Sequence, residues 1–378
     1  SHHRLSLGFV LHLLCINHYG GECGVIKGFN VLRHILSVFF IIVLGLCVVP
    51  LPAHAGNSAV IFMYHRFGED DFPTTSIKIA QFEAHLEELK SGGYQVMALA
   101  DIIKALHDGE ELPDKAVAIT IDDAYLSVYE KAWPRFKALG FPFTLFVATD
   151  PVDRGIRGYM SWDQIRELQQ DGAGIGSQTA SHLHMASSSV LANRRDLDKS
   201  NARFKKELGS KPAFIAYPYG EASERVIDLV RSTGFKAGLG QHSGVAAKTP
   251  DIYYLPRFAL NETYGDMKRF KLAANALALN IVDVTPNDQL IDVEDDNPPA
   301  FGFTINGDEA LTKSLNRLSC FGSHEGKLDV SRLAGEAGQT RIEIRMQKAL
   351  PRGRTRFNCT LPAKNDRWYW FGRQFFKK

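Results

Sequence analysis

Several things are scarce or missing in this chain, and each absence narrows the reading. Neither sign of charge dominates: 44 Lys and Arg against 42 Asp and Glu leave +2 over 378 residues, which argues for no particular partner. There is no internal repeat and no low-complexity tract. No basic–aromatic motif lies in the first two thirds, so nothing supports nucleic-acid binding. The longest apolar run, Ile35 to Val49, is 15 residues, short of the roughly 20 that a membrane-spanning helix needs. Cysteine is sparse, with five in all, of which only Cys320 and Cys359 lie beyond residue 55.

What is present begins with a targeting pattern. Lys27, Arg33 and His34 precede the apolar run, and Ala53-His54-Ala55 after it fits a signal-peptidase site. The expectation is export, periplasmic or secreted, with cleavage near Ala55; retention by the apolar segment as an anchor is the alternative. Residues 1–30 carry no clear pattern and are left out of the fold. In an oxidising compartment Cys320 and Cys359 form an even pair and are expected to make a disulfide, two buried thiols being the bland alternative.

Along the rest of the chain, short apolar strands alternate with amphipathic helices. Ala59–Tyr64, Val117–Ile121, Phe143–Ala148, Phe214–Tyr217, Phe235–Leu239 and Tyr253–Leu255 read as strands. Helical spacing recurs at 79–89, 99–106, 190–208, 224–233 and 265–279, and Ser161-Trp162-Asp163-Gln164 is a capping box. A helix is expected from Ser127 to Leu139 with a kink or break at Pro134. This alternation predicts βα units around a parallel sheet or barrel. The expected division is residues 1–55 as upstream extension and signal peptide, 56–282 as the (β/α) domain, 283–299 as linker and 300–378 as a small β-rich domain. The linker reading rests on six acidic residues without Lys or Arg from Asp283 to Asp296; the last part, 345–378, holds ten Lys and Arg against one Asp.

Chemistry-capable residues fall at strand ends. Asp122 and Asp123 end the Val117 strand, His65 follows Tyr64, and His182 and His184 follow Gly174–Ser177. In a barrel or parallel sheet these ends meet on one rim. Asp and His suit a catalytic Zn²⁺ with an open water position, and two adjacent carboxylates can divide the work of ligand and base.

Thr120-Ile121-Asp122-Asp123-Ala124 resembles the T-F-D-D-G motif of the polysaccharide deacetylase (NodB-homology) family. Gly176-Ser177-Gln178-Thr179-Ala180-Ser181-His182-Leu183-His184 is similar to its G-S-H-[ST]-x-[ST]-H-P motif, and Tyr217-Pro218-Tyr219-Gly220 to its P-Y-G motif. Tyr64-His65 and Leu255-Pro256-Arg257 resemble features of a permuted branch that includes exported exopolysaccharide deacetylases. The resemblance covers about residues 59–265. It implies a distorted (β/α) barrel and metal-dependent removal of N-acetyl groups from an amino-sugar polysaccharide. Asp122 is then the general base, Asp123 and His182 are ligands to a divalent ion, most plainly zinc, and His65 is the general acid. Tyr219, following Pro218, supplies a backbone N–H to the oxyanion, and Arg257 orients Asp122 or binds substrate.

The chain departs from the pattern at Gln178, where the family has its first ligand histidine. Four outcomes stay open: weak ligation by Gln178, substitution by His184, a water in that position, or a silent barrel that binds carbohydrate. Ala124 stands where the family has Gly, and Ala216 where it has Arg. His242 is expected in a surface loop, Trp162 in packing, and Trp368 and Trp370 on one face of a strand in the β core. The basic residues of 345–378 read as a solvated face, with contact to an anionic glycan or envelope surface as the functional alternative.

Overall fold

In the computed structural model of the protein, the described residues are 57–248, 251–292, 297–336 and 338–378. The targeting segment, its cleavage site and residues 293–296 of the acidic stretch lie outside them. Among the described residues no helix is long and apolar enough to cross a membrane.

Six strands form the spine of the first sheet: β1 (Ser58–Tyr64), β2 (Ala116–Asp122), β3 (Thr144–Val147), β4 (Gly174–Ser177), β5 (Phe214–Ala216) and β6 (Ala237–Leu239). They pair in that order, all parallel. Gln95–Val96 adds to β2. On its other side β1 pairs antiparallel with Ala246–Ala247 and parallel with Phe258–Ala259. Leu255 also bridges to Leu239, so the stretch from Leu255 to Ala259 spans from β6 back to β1 and closes the curl. Helices α1 (Ile79–Ser91), α2 (Leu99–Asp108), α3 (Trp133–Leu139), α4 (Trp162–Gln170), α5 (Val190–Leu208), α6 (Glu224–Ser232) and α7 (Met267–Ala274) cross over between strands. The architecture is a distorted (β/α) barrel, one of the two arrangements that the alternation allows and the one that the family resemblance implies.

β2 explains itself residue by residue, since successive side chains point to opposite faces. Val117, Ile119 and Ile121 pack with Phe62, Phe136 and Leu145, whereas Ala116 and Ala118 pack with Ile61, Phe146, Ala216 and Leu239. All seven residues are buried. That double burial is why the strand reads as a continuous apolar run.

The break expected at Pro134 is present, and two other local expectations change. Val128–Ala132 is a π turn, and α3 starts at Trp133, so Pro134 sits in a first helical turn, where its missing N–H costs no bond. Ile252–Tyr254 is a single 3₁₀ turn rather than a strand, because the Asp251 side chain accepts from the Tyr253 N–H and starts a turn. The expected linker contains β7 (Asn280–Thr285) in part and β8 (Leu290–Ile291). Its acidic residues are spaced widely enough for Ile281, Val284 and Ile291 to join the second core.

That second core belongs to an eight-stranded, mostly antiparallel sheet. Besides β7 and β8 it contains β9 (Phe301–Asn306), β10 (Ser319–Gly322), β11 (Gly326–Ala334), β12 (Gln339–Arg345), β13 (Gly353–Pro362) and β14 (Trp368–Lys377). One short helix, Glu309–Ser314, interrupts it. Cys320 and Cys359 face each other on β10 and β13 and are bonded, with 2.02 Å between sulfurs. Trp370 meets Phe258 of the barrel edge-on at 5.1 Å and its indole N–H donates to Asn358. It therefore packs between the sheets rather than inside the β core. Trp162 donates to Asp153 and packs on Phe204.

Candidate active site

The site starts where β2 runs out of apolar residues. Asp122 is its last residue and is fully buried. A buried carboxylate needs partners, and Arg257 supplies both: Nη1 donates to Oδ1 at 2.6 Å and Nη2 to Oδ2 at 2.8 Å. Arg257 is itself fully buried, with Nε on the Gly240 carbonyl (2.8 Å), Nη1 also on Thr120 Oγ1 (3.1 Å), and its plane over the Phe146 ring. The closing stretch Leu255–Ala259 carries the guanidinium into the barrel. A fork matched to a carboxylate fixes that carboxylate's orientation as well as its charge. His65, just past β1, has Nε2 4.0 Å from Asp122 Oδ2.

Asp123 turns the chain. Its φ is +61°, a left-handed conformation that Asp tolerates better than most residues. The left-handed residue of the turn is thus Asp123, and Ala124 in the family's glycine position meets no backbone penalty. This turn sends the Asp123 carboxylate toward His182, with 3.6 Å between Oδ1 and Nε2. His182 also has positive φ (+56°), so the segment after Gln178 is not extended. The two histidines meet different acids, His182 facing Asp123 and His184 facing Glu221, while both rings pack against Tyr219. The Nδ1 of His184 meets buried Glu221 at 2.8 Å, and its ring stacks on Tyr219 at 4.0 Å. His184 does not take the place of the missing ligand.

Gln178 is fully buried, and its Oε1 accepts the Asp123 backbone N–H at 3.0 Å. Its Nε2 has no partner among the described residues, and an amide nitrogen is a donor, not a ligand. The amide oxygen therefore pins the turn that carries Asp123. Among the described residues no three His, Cys, Asp or Glu side chains come together as a metal set. Asp123 and His182 fit an ion as a pair of ligands, while the Gln178 oxygen already accepts the Asp123 N–H.

Tyr219 lies beside that pair, its ring edge-on to His182 at 4.6 Å. Pro218 opens the one-turn 3₁₀ segment, and Tyr219 inside it has φ +60°. Burial raises the Tyr219 phenol above its ordinary pKa, helped by the charges of Glu221 and Asp123. Asp122, Arg257, His65, Asp123, His182 and Tyr219 thus form one chain of contacts on the strand-end rim. Sequence reasoning missed Glu221, whose signal was a carboxylate placed directly after the P-Y-G stretch. His242 is 4% exposed, not a surface residue: it stacks on Tyr254 at 4.5 Å.

Comparison with known proteins finds relatives for this part of the chain. A family model described as polysaccharide deacetylase matches residues 109–238. YxkH of Bacillus subtilis is 26% identical over 197 residues, covering 52% of this chain and 69% of its own. A poly-beta-1,6-N-acetyl-D-glucosamine N-deacetylase of Staphylococcus aureus is 25% identical over 236 residues, 54% of this chain and 80% of its own. Among solved structures, IcaB from Ammonifex degensii superposes with TM-score 0.53 at 26% identity, covering 59% of this chain and 99% of that one. The Streptococcus pyogenes deacetylase PplD, with TM-score 0.51 and 22% identity, shares the fold over 54% of this chain and 92% of its own. Residues 109–238 of this chain thus match the polysaccharide deacetylase domain.

Proposed function

We propose that the chain hydrolyses N-acetyl groups from an amino-sugar polysaccharide outside the cytoplasm, with a divalent ion as cofactor. The observation that carries this reading is the meeting of Asp122–Arg257 and Asp123–His182 on one rim, with Asp122, Asp123 and His182 inside the family-matched region. The relatives whose names specify poly-N-acetylglucosamine point to that substrate class. Asp123 and His182 are the residues that would hold the ion, and zinc or a similar ion supplies Lewis-acid polarisation of the acyl oxygen and of water.

The chain's own residues divide the remaining work. Asp122, oriented by Arg257, takes the proton from the attacking water. Water oxygen bonds to the acyl carbon, and the Tyr219 backbone N–H donates to the oxyanion, an interaction that strengthens as charge develops. The C–N bond then breaks, and His65 delivers a proton to the departing nitrogen. Acetate and a free amino sugar leave, and the atoms balance with one water consumed.

A second reading has one observation behind it. Because the Gln178 oxygen is engaged by the Asp123 N–H, the ion is held by fewer side chains than a catalytic zinc ordinarily has, and a silent glycan-binding barrel results if it is not retained. Acetate release from N-acetylglucosamine oligomers, with Asp122→Asn as control, separates the two. Release by wild type and loss in the variant supports hydrolysis. Oligomer binding without release, at any divalent metal supplied, supports the silent barrel.

A further inference from the structure

The family match ends at residue 238, yet the rim is not complete there. Strand β14 of the second sheet runs along the barrel, and alternate residues of a strand share a face. Trp370 packs on Phe258, a side chain at Gly372 would overlap the Ser243 carbonyl, and Gln374 reaches the P-Y-G turn. Gln374 is 1% exposed, and its Nε2 donates to the Gly220 carbonyl at 2.9 Å and lies 3.4 Å from the Tyr219 carbonyl. The Gly220 carbonyl also accepts the Tyr254 hydroxyl at 2.8 Å.

This turn needs holding. Tyr219 (φ +60°) and Gly220 (φ +68°) are consecutive left-handed residues. For a tyrosine that conformation is strained and persists only where the surroundings over-determine it. Part of that surrounding comes from the second sheet. Besides Gln374, Arg354 of β13 lies over the Tyr219 ring at 5.4 Å, with Nε 3.7 Å from Glu221 Oε1, while Glu221 Oε2 holds His184. Buried Glu221 thereby links a histidine of the second motif to an arginine of the C-terminal sheet.

We propose that Gln374 is a positioning residue of the deacetylase site, and that the C-terminal sheet, through Gln374 and Arg354, keeps the Tyr219 N–H aimed at the reacting acyl oxygen. The inference rests on the hydrolytic reading above. Gln374 touches no reacting atom. It acts through the backbone of the turn, so its removal lowers kcat while leaving ground-state substrate contacts, and hence KM, in place.

The test compares the full chain with Gln374→Met, which keeps the volume and removes the donor, and Gln374→Glu, which sets an acceptor against the Gly220 carbonyl. Three quantities are read: kcat and KM on N-acetylglucosamine oligomers, amide hydrogen exchange in residues 217–222, and Tm. Expected are a fall in kcat of about tenfold or more with KM within about twofold, faster exchange in that turn, and a Tm of Gln374→Met near wild type. Unchanged kcat and unchanged exchange in both variants overturn the proposal, as does a loss that follows Tm alone. Should wild type release no acetate, the hydrolytic reading fails separately. Exchange then decides: faster exchange in the variants upholds the brace, and unchanged exchange removes it.

Discussion

Gln178 and His242 mark two ways in which a residue's neighbours overrule its local sequence. The sequence identifies Gln178 as the odd member of a ligand pattern but leaves its hydrogen bond open, because the Asp123 N–H comes from a segment 55 residues away. His242 sits in a glycine-flanked loop that reads as surface, yet the Leu255–Ala259 closure and the second sheet cover it. Burial depresses its pKa to about 3, and the facing charges of Arg373, Arg356 and Arg257 push the same way. His85 is lowered to about 4 by burial, partly opposed by its bond to the Gly265 carbonyl and by Asp266. Both rings stay neutral in the fold and protonate near 6.5 when released. The unfolded chain therefore binds more protons below that pH, and stability falls as pH drops from 6.5 toward 4, by at most about 1.4 kcal/mol per pH unit for each histidine. Urea midpoints at pH 7 and pH 5 should differ in wild type and differ less in His242→Gln. An identical drop in the variant rules His242 out as a contributor.

At the scale of elements, the sequence was readable wherever burial on both faces left an apolar run. β2 with its two carboxylates, α5 and the capping box at Ser161 are examples, the last with Ser161 Oγ accepting the Gln164 N–H. What it did not disclose is what a face meets. Period-two alternation puts Trp368 and Trp370 together, but nothing in the alternation says that this face lies against the barrel. Gly372 records that approach: its missing side chain lets β14 touch the loop carrying Ser243. Gly372→Ala forces the strand or the loop to move and should cost about 1–3 kcal/mol. Chemical denaturation measures this, and a midpoint equal to wild type would mean that the sheets do not need this contact. The turn at Ile252–Tyr254 was misread for a related reason, since one Asp251 side chain outweighs the β propensity of two tyrosines.

At the scale of the molecule, the barrel was legible because strands and helices alternate, whereas the second sheet's relation to it was not. The ten basic residues of 345–378 looked like a solvated face. Several instead serve the junction: Arg367 bonds Asp114 and the Asn275 carbonyl, Arg373 bonds carbonyls of Pro286 and Asn287, and Arg354 leans on Tyr219. The acidic stretch likewise enters the second sheet rather than separating it from the barrel. Through Gln374 and Arg354 the second sheet therefore reaches the Tyr219–Glu221 turn of the rim. Metal affinity of the purified chain, wild type beside Gln178→His, with acetate release followed on the same samples, tests this account most directly. Two side-chain ligands in wild type and a third added by imidazole predict weak but saturable zinc binding with measurable release, and an affinity higher by about tenfold or more in Gln178→His. Equal affinity in the two proteins, or acetate release that persists after complete metal removal, would contradict it.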